Sequence, residues 1–248
     1  MFDKDFEELK LTGNLPSPSG VGLAVLRITQ SESPSLAELV QVIRADPALS
    51  GRLIKQANTM IPRKPTAPEE SYRSPVSTVE AAARRLGATT VRSMALGFSL
   101  VSSTRSGVCE EFDYDRFWSL SICSAVAAEE LARRFGTIDP DEAFTCALQS
   151  RVGMLALATV HPTQYSRILR ETRGQRLASI FEAEAGAFEI THPEVTAAML
   201  IDWDLPEFFA EVVVRLGTKV RATQEEGDEG GELLRILNAA WRMAPINM

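Results

Sequence analysis

The chain has 248 residues, of which 45% are hydrophobic and 24% charged, with a formal net charge of −7; the apolar content supports a sizeable core, and the acidic balance disfavours nucleic acid as a partner. Cys109, Cys123 and Cys146 show no CxxC spacing, which fits a reducing compartment and offers neither a disulfide framework nor a zinc knuckle. No run approaches the length of about 18 apolar residues that a membrane span needs, and "MFDKDFEELK" has acids where a signal peptide needs a basic stretch, so a cytoplasmic protein without membrane attachment is expected.

Helical periodicity runs through the chain. "VGLAVLRIT" has β-branched content that would suit a strand, but with no partner strand elsewhere it reads as a helix. In "SLAELVQVIR", Leu36, Leu39, Val40 and Ile43 fall on one face, and Asp46 and Pro47 then cap and open a helix carrying Leu49, Leu53, Ile54 and Ala57. Four prolines in Ile61 to Pro75 predict a surface loop. "STVEAAARRLG" predicts a capping box from Ser77 to Glu80, an inner stripe of Val79, Ala82, Ala83 and Leu86, and termination at Gly87. Val91, Met94, Ala95 and Phe98 continue the pattern.

Further helices are predicted over Tyr114 to Phe135, ending at Gly136, then Pro140 to Val160, Pro162 to Arg173, Leu177 to Phe188 and His192 to Asp202. The second of these has Asp139 as cap, Pro140 at its first position and Glu142 completing a capping box. A helix from Pro206 to Leu216 follows, with Phe209, Val212, Val213 and Leu216 inward and Asp204 as its cap. The acidic, Gly-rich stretch Ala222 to Glu232 reads as a linker. The last helix puts Leu233, Ile236, Leu237, Ala240 and Trp241 along one face, a surface that must pack on its own domain or on a partner.

The polar residues allow several readings. Asp202 and Asp204, with Glu184 and His192, would form a carboxylate-rich metal site if the chain turned at Asp204; otherwise Asp202 is exposed and His192 bonds a cap or a backbone carbonyl. Arg52, Lys55, Gln56 and Asn58 would be the readers of a helix-turn-helix, or the polar face of an ordinary surface helix. Ser150 lacks a GxSxG elbow or a histidine nearby in sequence, which argues against a nucleophile. His161, at a helix C-terminus, suits the negative end of the dipole, and the pairs Arg84–Arg85 and Arg133–Arg134 suit solvated faces.

Six segments in order, "LPSPSGVGLAVLRI", "LAELVQVIRADPALSGRLIKQANT", "VSTVEAAARRLGATTVRSMAL", "RFWSLSICSAVAAEELARRF", "DEAFTCALQSRVGMLAL" and "HPEVTAAMLIDWDLPEFFAEVV", resemble the HD-related output domain (HDOD) of bacterial signalling proteins, a relative of the HD metal-dependent phosphohydrolases. The resemblance covers Leu15 to Gly217. It implies an all-α fold in which an N-terminal lobe, residues 15–106, packs on a degenerate HD-like lobe, residues 107–217. Residues 1–14 then form an extension, and residues 218–248 a linker and terminal helix.

The resemblance places the family's His-Asp pair on Ser150 and Arg151, its helix histidine on Leu120 and its later paired histidines on Leu216 and Gly217; His192 stands where the family often keeps one. A hydrolytic metal site needs several converging His, Asp or Glu side chains, yet the chain has two histidines and a permanent cation at 151. No metal and no cofactor are therefore expected. The expected function is a non-catalytic regulatory module acting through a signalling protein, with Leu233, Ile236, Leu237 and Trp241 as a candidate interface. The alternatives are a residual metal-dependent phosphohydrolase with unorthodox ligands and, further off, a nucleic-acid-binding regulator.

Overall fold

Periodicity and capping translate directly into helices. The computed structural model describes residues 21–29, 35–59, 75–91, 94–95, 108–136, 138–173, 177–217 and 229–243. The predicted loop at 61–74, Phe98, residues 1–14 and most of the acidic linker lie outside them. Among the described residues there is no strand. The fold is all-α, as expected.

The first helices are α1 (Val21–Thr29), α2 (Leu36–Arg44), α3 (Pro47–Thr59) and α4 (Val79–Leu86). Asp46 caps α3 as predicted, its Oδ1 accepting from the N–H groups of Ala48 and Leu49. The cap of α4 is Thr78 rather than Ser77: Thr78 Oγ1 accepts from Ala81 N–H, while Ser77 donates to Glu142 Oε1 at 2.6 Å. The two hydroxyls are equivalent to a local pattern, and a carboxylate from a distant helix separates their roles.

The second group comprises α5 (Tyr114–Phe135), α6 (Pro140–Gln149), α7 (Val152–Val160), α8 (Pro162–Thr172), α9 (Leu177–Phe188), α10 (His192–Asp202), α11 (Glu207–Gly217) and α12 (Glu229–Met243). Gly136 closes α5 with φ 68°, a left-handed cap that glycine adopts without strain. Asp139 caps α6 by accepting from Asp141 and Glu142. The predicted linker is shorter than its composition suggests, because α12 begins at Glu229; Gly230 and Gly231 fall in its first turn.

The predicted single helix from Pro140 to Val160 is two helices. Arg151 sits at φ −120°, ψ 8°, outside helical geometry, and Ser150 N–H bonds back only to Ala147 O, a tightened last turn. The reason is tertiary. Gly153 presses against the start of α10, where an added Cβ would stand 2.1 Å from the His192 carbonyl oxygen, and its N–H donates to Thr196 Oγ1 at 2.9 Å. The stretch Pro140–Val160 is also apolar and long enough to cross a bilayer, but 89% of that window is buried inside the protein.

Among the described residues, two clusters stand out in fastening the first group to the second, beside single bonds such as Gln149 Nε2–H to the Pro47 carbonyl. Trp203 packs its ring against Gly51, where a Cβ would lie 2.4 Å from the indole. Asn58 Nδ2 donates to the carbonyls of Val76, Trp203 and Asp204, and its Oδ1 accepts from Val76 N–H at 2.8 Å. Asp204 adopts φ 53°, turning the chain between α10 and α11; it does not cap α11, contrary to the sequence expectation. At the second place Arg44 faces Glu80, Glu129 and Asp141 at 3.1, 3.5 and 3.4 Å and lies 4.1 Å over the Phe144 ring, linking α2, α4, α5 and α6.

Candidate functional site

The α6–α7 junction is the point where the sequence expectation and the structure meet. Arg151 is 2% exposed. Its Nη1 donates to Ser124 Oγ of α5 at 3.0 Å, and its guanidinium carbon lies 4.3 Å from the centroid of the Trp241 ring of α12. Trp241 Nε1–H donates to Ser150 Oγ at 3.2 Å, and the Ser150 hydroxyl donates to Ala147 O at 2.7 Å. Burial pulls the Arg151 pKa down to about 10, which leaves the side chain cationic at neutral pH.

Leu120 joins Arg151 in the wall of a small cavity, together with Phe112, Phe117 and Met154; its volume is about 20 Å³, room for roughly one water. A metal ion does not fit this donor set. Leu120 has no lone pair to offer, Ser150 is committed to Ala147 and Trp241, and a guanidinium repels a cation and keeps its proton. Among the described residues no group of three or more His, Cys, Asp or Glu converges. Leu216 packs half-buried against the core, and Gly217 ends α11.

His192 belongs to a second buried cluster. Its Nδ1 faces both oxygens of Glu184 at 2.8 and 2.9 Å, its backbone N–H donates to Glu184 Oε2 at 2.9 Å, and Tyr165 Oη–H donates to Glu184 Oε1 at 2.9 Å. Both His192 and Glu184 are 0% exposed. A carboxylate accepts only, so Nδ1 carries the proton; the Phe181 ring lies 5.0 Å from the imidazole. Burial and the adjacent Glu184 push the Tyr165 hydroxyl well above its ordinary range.

Of the four residues of the imagined metal site, Glu184 and His192 meet as a hydrogen-bonded pair, and Asp202 and Asp204 are not part of it. Asp202 binds Lys55 at 2.5 Å, and Asp204 makes the turn. His192 bonds a carboxylate rather than the cap or carbonyl expected of it. Tyr165 was not singled out by any local pattern; its signal was a tyrosine on the buried stripe with Ile168 and Leu169, whose hydroxyl had to find a partner. His161 sits between α7 and α8 and stacks on Phe188 at 4.9 Å.

Two of the four residues that a helix-turn-helix reading would use are engaged within the chain. Lys55 is paired with Asp202 and Asn58 is buried in the clamp described above, so neither is presented for base contacts. The candidate interface of α12 is covered as well. Leu233, Ile236 and Leu237 are 0%, 3% and 0% exposed, packed within the chain's own core, and Trp241 is half-buried over Arg151.

The HDOD family model matches residues 15–216. The chain belongs to the HDOD-domain family. Among solved structures it is similar to the MmoQ response regulator from Methylococcus capsulatus str. Bath, with 35% identity over 93% of this chain and 86% of that one at a TM-score of 0.81. A fragment of the same regulator, residues 20-298, matches with 34% identity over 93% and 84% of the two chains at 0.78. A virulence factor from Campylobacter jejuni subsp. jejuni shares the fold alone, with 14% identity over 99% and 84% and a TM-score of 0.71. No curated protein matches the chain. Within the HDOD fold, the α6–α7 junction that carries Ser150 and Arg151 is a packed polar crossing of α5, α6, α7 and α12.

Proposed function

We propose that this HDOD protein is a non-catalytic signal-transduction module that acts by binding a protein partner in the cytoplasm, its ancestral metal-hydrolase site lost. The observation that carries this reading is Arg151. A buried cation, held by Ser124 and covered by Trp241, occupies the position at which the resemblance expects a metal-binding carboxylate. Charge and packing there both oppose a hydrolytic ion. The similarity to a protein named as a response regulator supports a signalling role.

The test measures metal and turnover in the same preparation. Protein purified and then incubated with manganese or iron should retain no stoichiometric metal and should not hydrolyse bis(p-nitrophenyl) phosphate or cyclic dinucleotides. Ser150→His with Arg151→Asp should stay inactive too, because Leu120, Leu216 and Gly217 still supply no ligand. Chelator-sensitive turnover by the unmodified chain would overturn the reading. Partner binding is tested by stoichiometric complex formation between purified components; a chain that recruits no protein in its native signalling context fails it.

A further inference from the structure

A groove of about 550 Å³ runs between residues 108–111, which lead into α5, and the helix α8. That volume falls within the range of roughly 300–1,000 Å³ usual for ligand sites, and the groove is open to solvent. Its two walls are tied to each other. Glu111 N–H donates to Ser166 Oγ at 2.9 Å, Arg170 Nε pairs with Glu111 Oε1 at 3.0 Å, and Arg173 binds the other oxygen of that carboxylate. The groove therefore keeps its shape without an occupant, which lowers the ordering cost of filling it.

The same bonds decide which charges are left to face an occupant. Glu111 turns to the arginines, whereas Glu110 beside it lines the groove and is exposed. Arg170 and Arg173 are held by Glu111. Arg167, whose side chain is 66% exposed, lines the groove too, and among the described residues the carboxylate nearest to it is Glu171 at 4.0 Å, beyond hydrogen-bond reach. Apolar surface lies alongside, from Pro162 and from Val108, at 67% the most exposed large apolar side chain among the described residues. An inorganic anion would engage only Arg167, and a purely apolar ligand only Val108 and Pro162. A peptide segment carries acid, base and apolar group on neighbouring side chains, and an open groove admits a continuous chain.

We propose that the groove between residues 108–111 and α8 is where the protein partner docks, through a segment that carries an acidic and a basic side chain around an apolar one. The acidic side chain meets Arg167, the basic one meets Glu110, and the apolar one covers Val108 and Pro162. Exposed ion pairs are individually weak, so selectivity comes from the demand for both signs at once. The inference rests on the reading of the protein as a partner-binding module and names the chemistry of the element that the module takes.

The probe is the terminally blocked peptide Glu-Ala-Leu-Ala-Lys, added to the full chain and followed by the backbone amide resonances of residues 108–111 and α8. It should bind at least about threefold more tightly than Glu-Ala-Leu-Ala-Glu or Lys-Ala-Leu-Ala-Lys, each of which sets one like charge against the groove. Arg167→Glu should lower its affinity about fivefold at an unchanged Tm, and adding Glu110→Lys should restore it, because the peptide then lies in the reverse direction. Unmoved resonances at the groove overturn the proposal. So do equal affinities for the three peptides, a double variant no better than Arg167→Glu, or free lysine binding as tightly as the peptide, which would make the groove a site for a small zwitterion. Failure of the module reading is distinguishable from failure of this site. A partner that binds the unmodified and Arg167→Glu chains equally keeps the module and sinks the groove, whereas peptide binding with these charge effects on a chain that recruits no protein keeps the groove and sinks the module.

Discussion

Replacing Gly153 by alanine should destabilise the protein although it places a better helix former inside α7. The added Cβ would meet the His192 carbonyl oxygen at 2.1 Å, Thr196 Oγ1 at 2.7 Å and Thr196 N at 2.9 Å. Two of these atoms are backbone, so no rotamer change relieves the clash and α7 must move away from α10. Overpacking of this kind costs up to about 3 kcal/mol, while the propensity gain of alanine over glycine returns about 1 kcal/mol. The net loss is about 2 kcal/mol, a fall in Tm of roughly 4–8 °C for a chain of this size. Gly186→Ala is the control: it lies in α9 with nothing within 4 Å of the added Cβ, and should leave stability unchanged or raise it by up to about 1 kcal/mol. Urea unfolding of the two variants beside the unmodified chain measures both numbers. A Gly153→Ala protein as stable as Gly186→Ala would refute the close approach of α7 and α10, and with it the stated cause of the break at Arg151.

Three further outcomes follow from buried groups. Truncation after Val220 removes four large buried side chains, Leu233, Leu234, Ile236 and Leu237, a loss of about 6–12 kcal/mol that rivals the whole stability of a domain, so the truncated chain should fail to give a cooperative melt; an unchanged Tm would show that α12 does not pack at home. Glu184→Ala leaves Tyr165 Oη, His192 Nδ1 and a backbone N–H without their acceptor and should cost about 3–5 kcal/mol by urea unfolding, and a loss below about 1 kcal/mol would contradict the buried cluster. Burial raises the Cys146 and Cys109 thiols above their ordinary 9.0, and Tyr165 above 10.0, so the native state holds protons there that the unfolded chain gives up. For Cys146 and Tyr165 the contribution is complete below pH 9 and is lost as pH rises toward the native values, by about 1.4 kcal/mol per pH unit for each group. Cys146→Ala should flatten the alkaline limb of a pH–stability curve, and at neutral pH a thiol reagent should label exposed Cys123 and spare Cys146 in the native chain.

The sequence by itself determined the helices and many of their ends. Asp46, Asp139 and Gly136 act through hydrogen bonds or backbone dihedrals within a few residues of themselves, and Pro140 and Pro162 act at their own positions, so a local pattern is enough to place them. The apolar stripes likewise fixed which face of α2, α3, α4 and α12 turns inward, because burial follows the 3.6-residue period whatever the neighbour is. What only the tertiary structure decided is the partner of each buried polar group. Ser77 lost the capping role to Thr78 because Glu142, 65 residues away, claims its hydroxyl. Ser150 meets Trp241 across 91 residues, and Asn58 holds the turn at Asp204 across 146. The break at Ser150–Arg151 belongs to the same class, since Pro140–Val160 reads locally as one helix and it is the contact of Gly153 with α10 that divides it. A hydrogen bond inside a turn is fixed by chain spacing alone, whereas one between helices forms only after their apolar faces have set the distance and angle at which they cross.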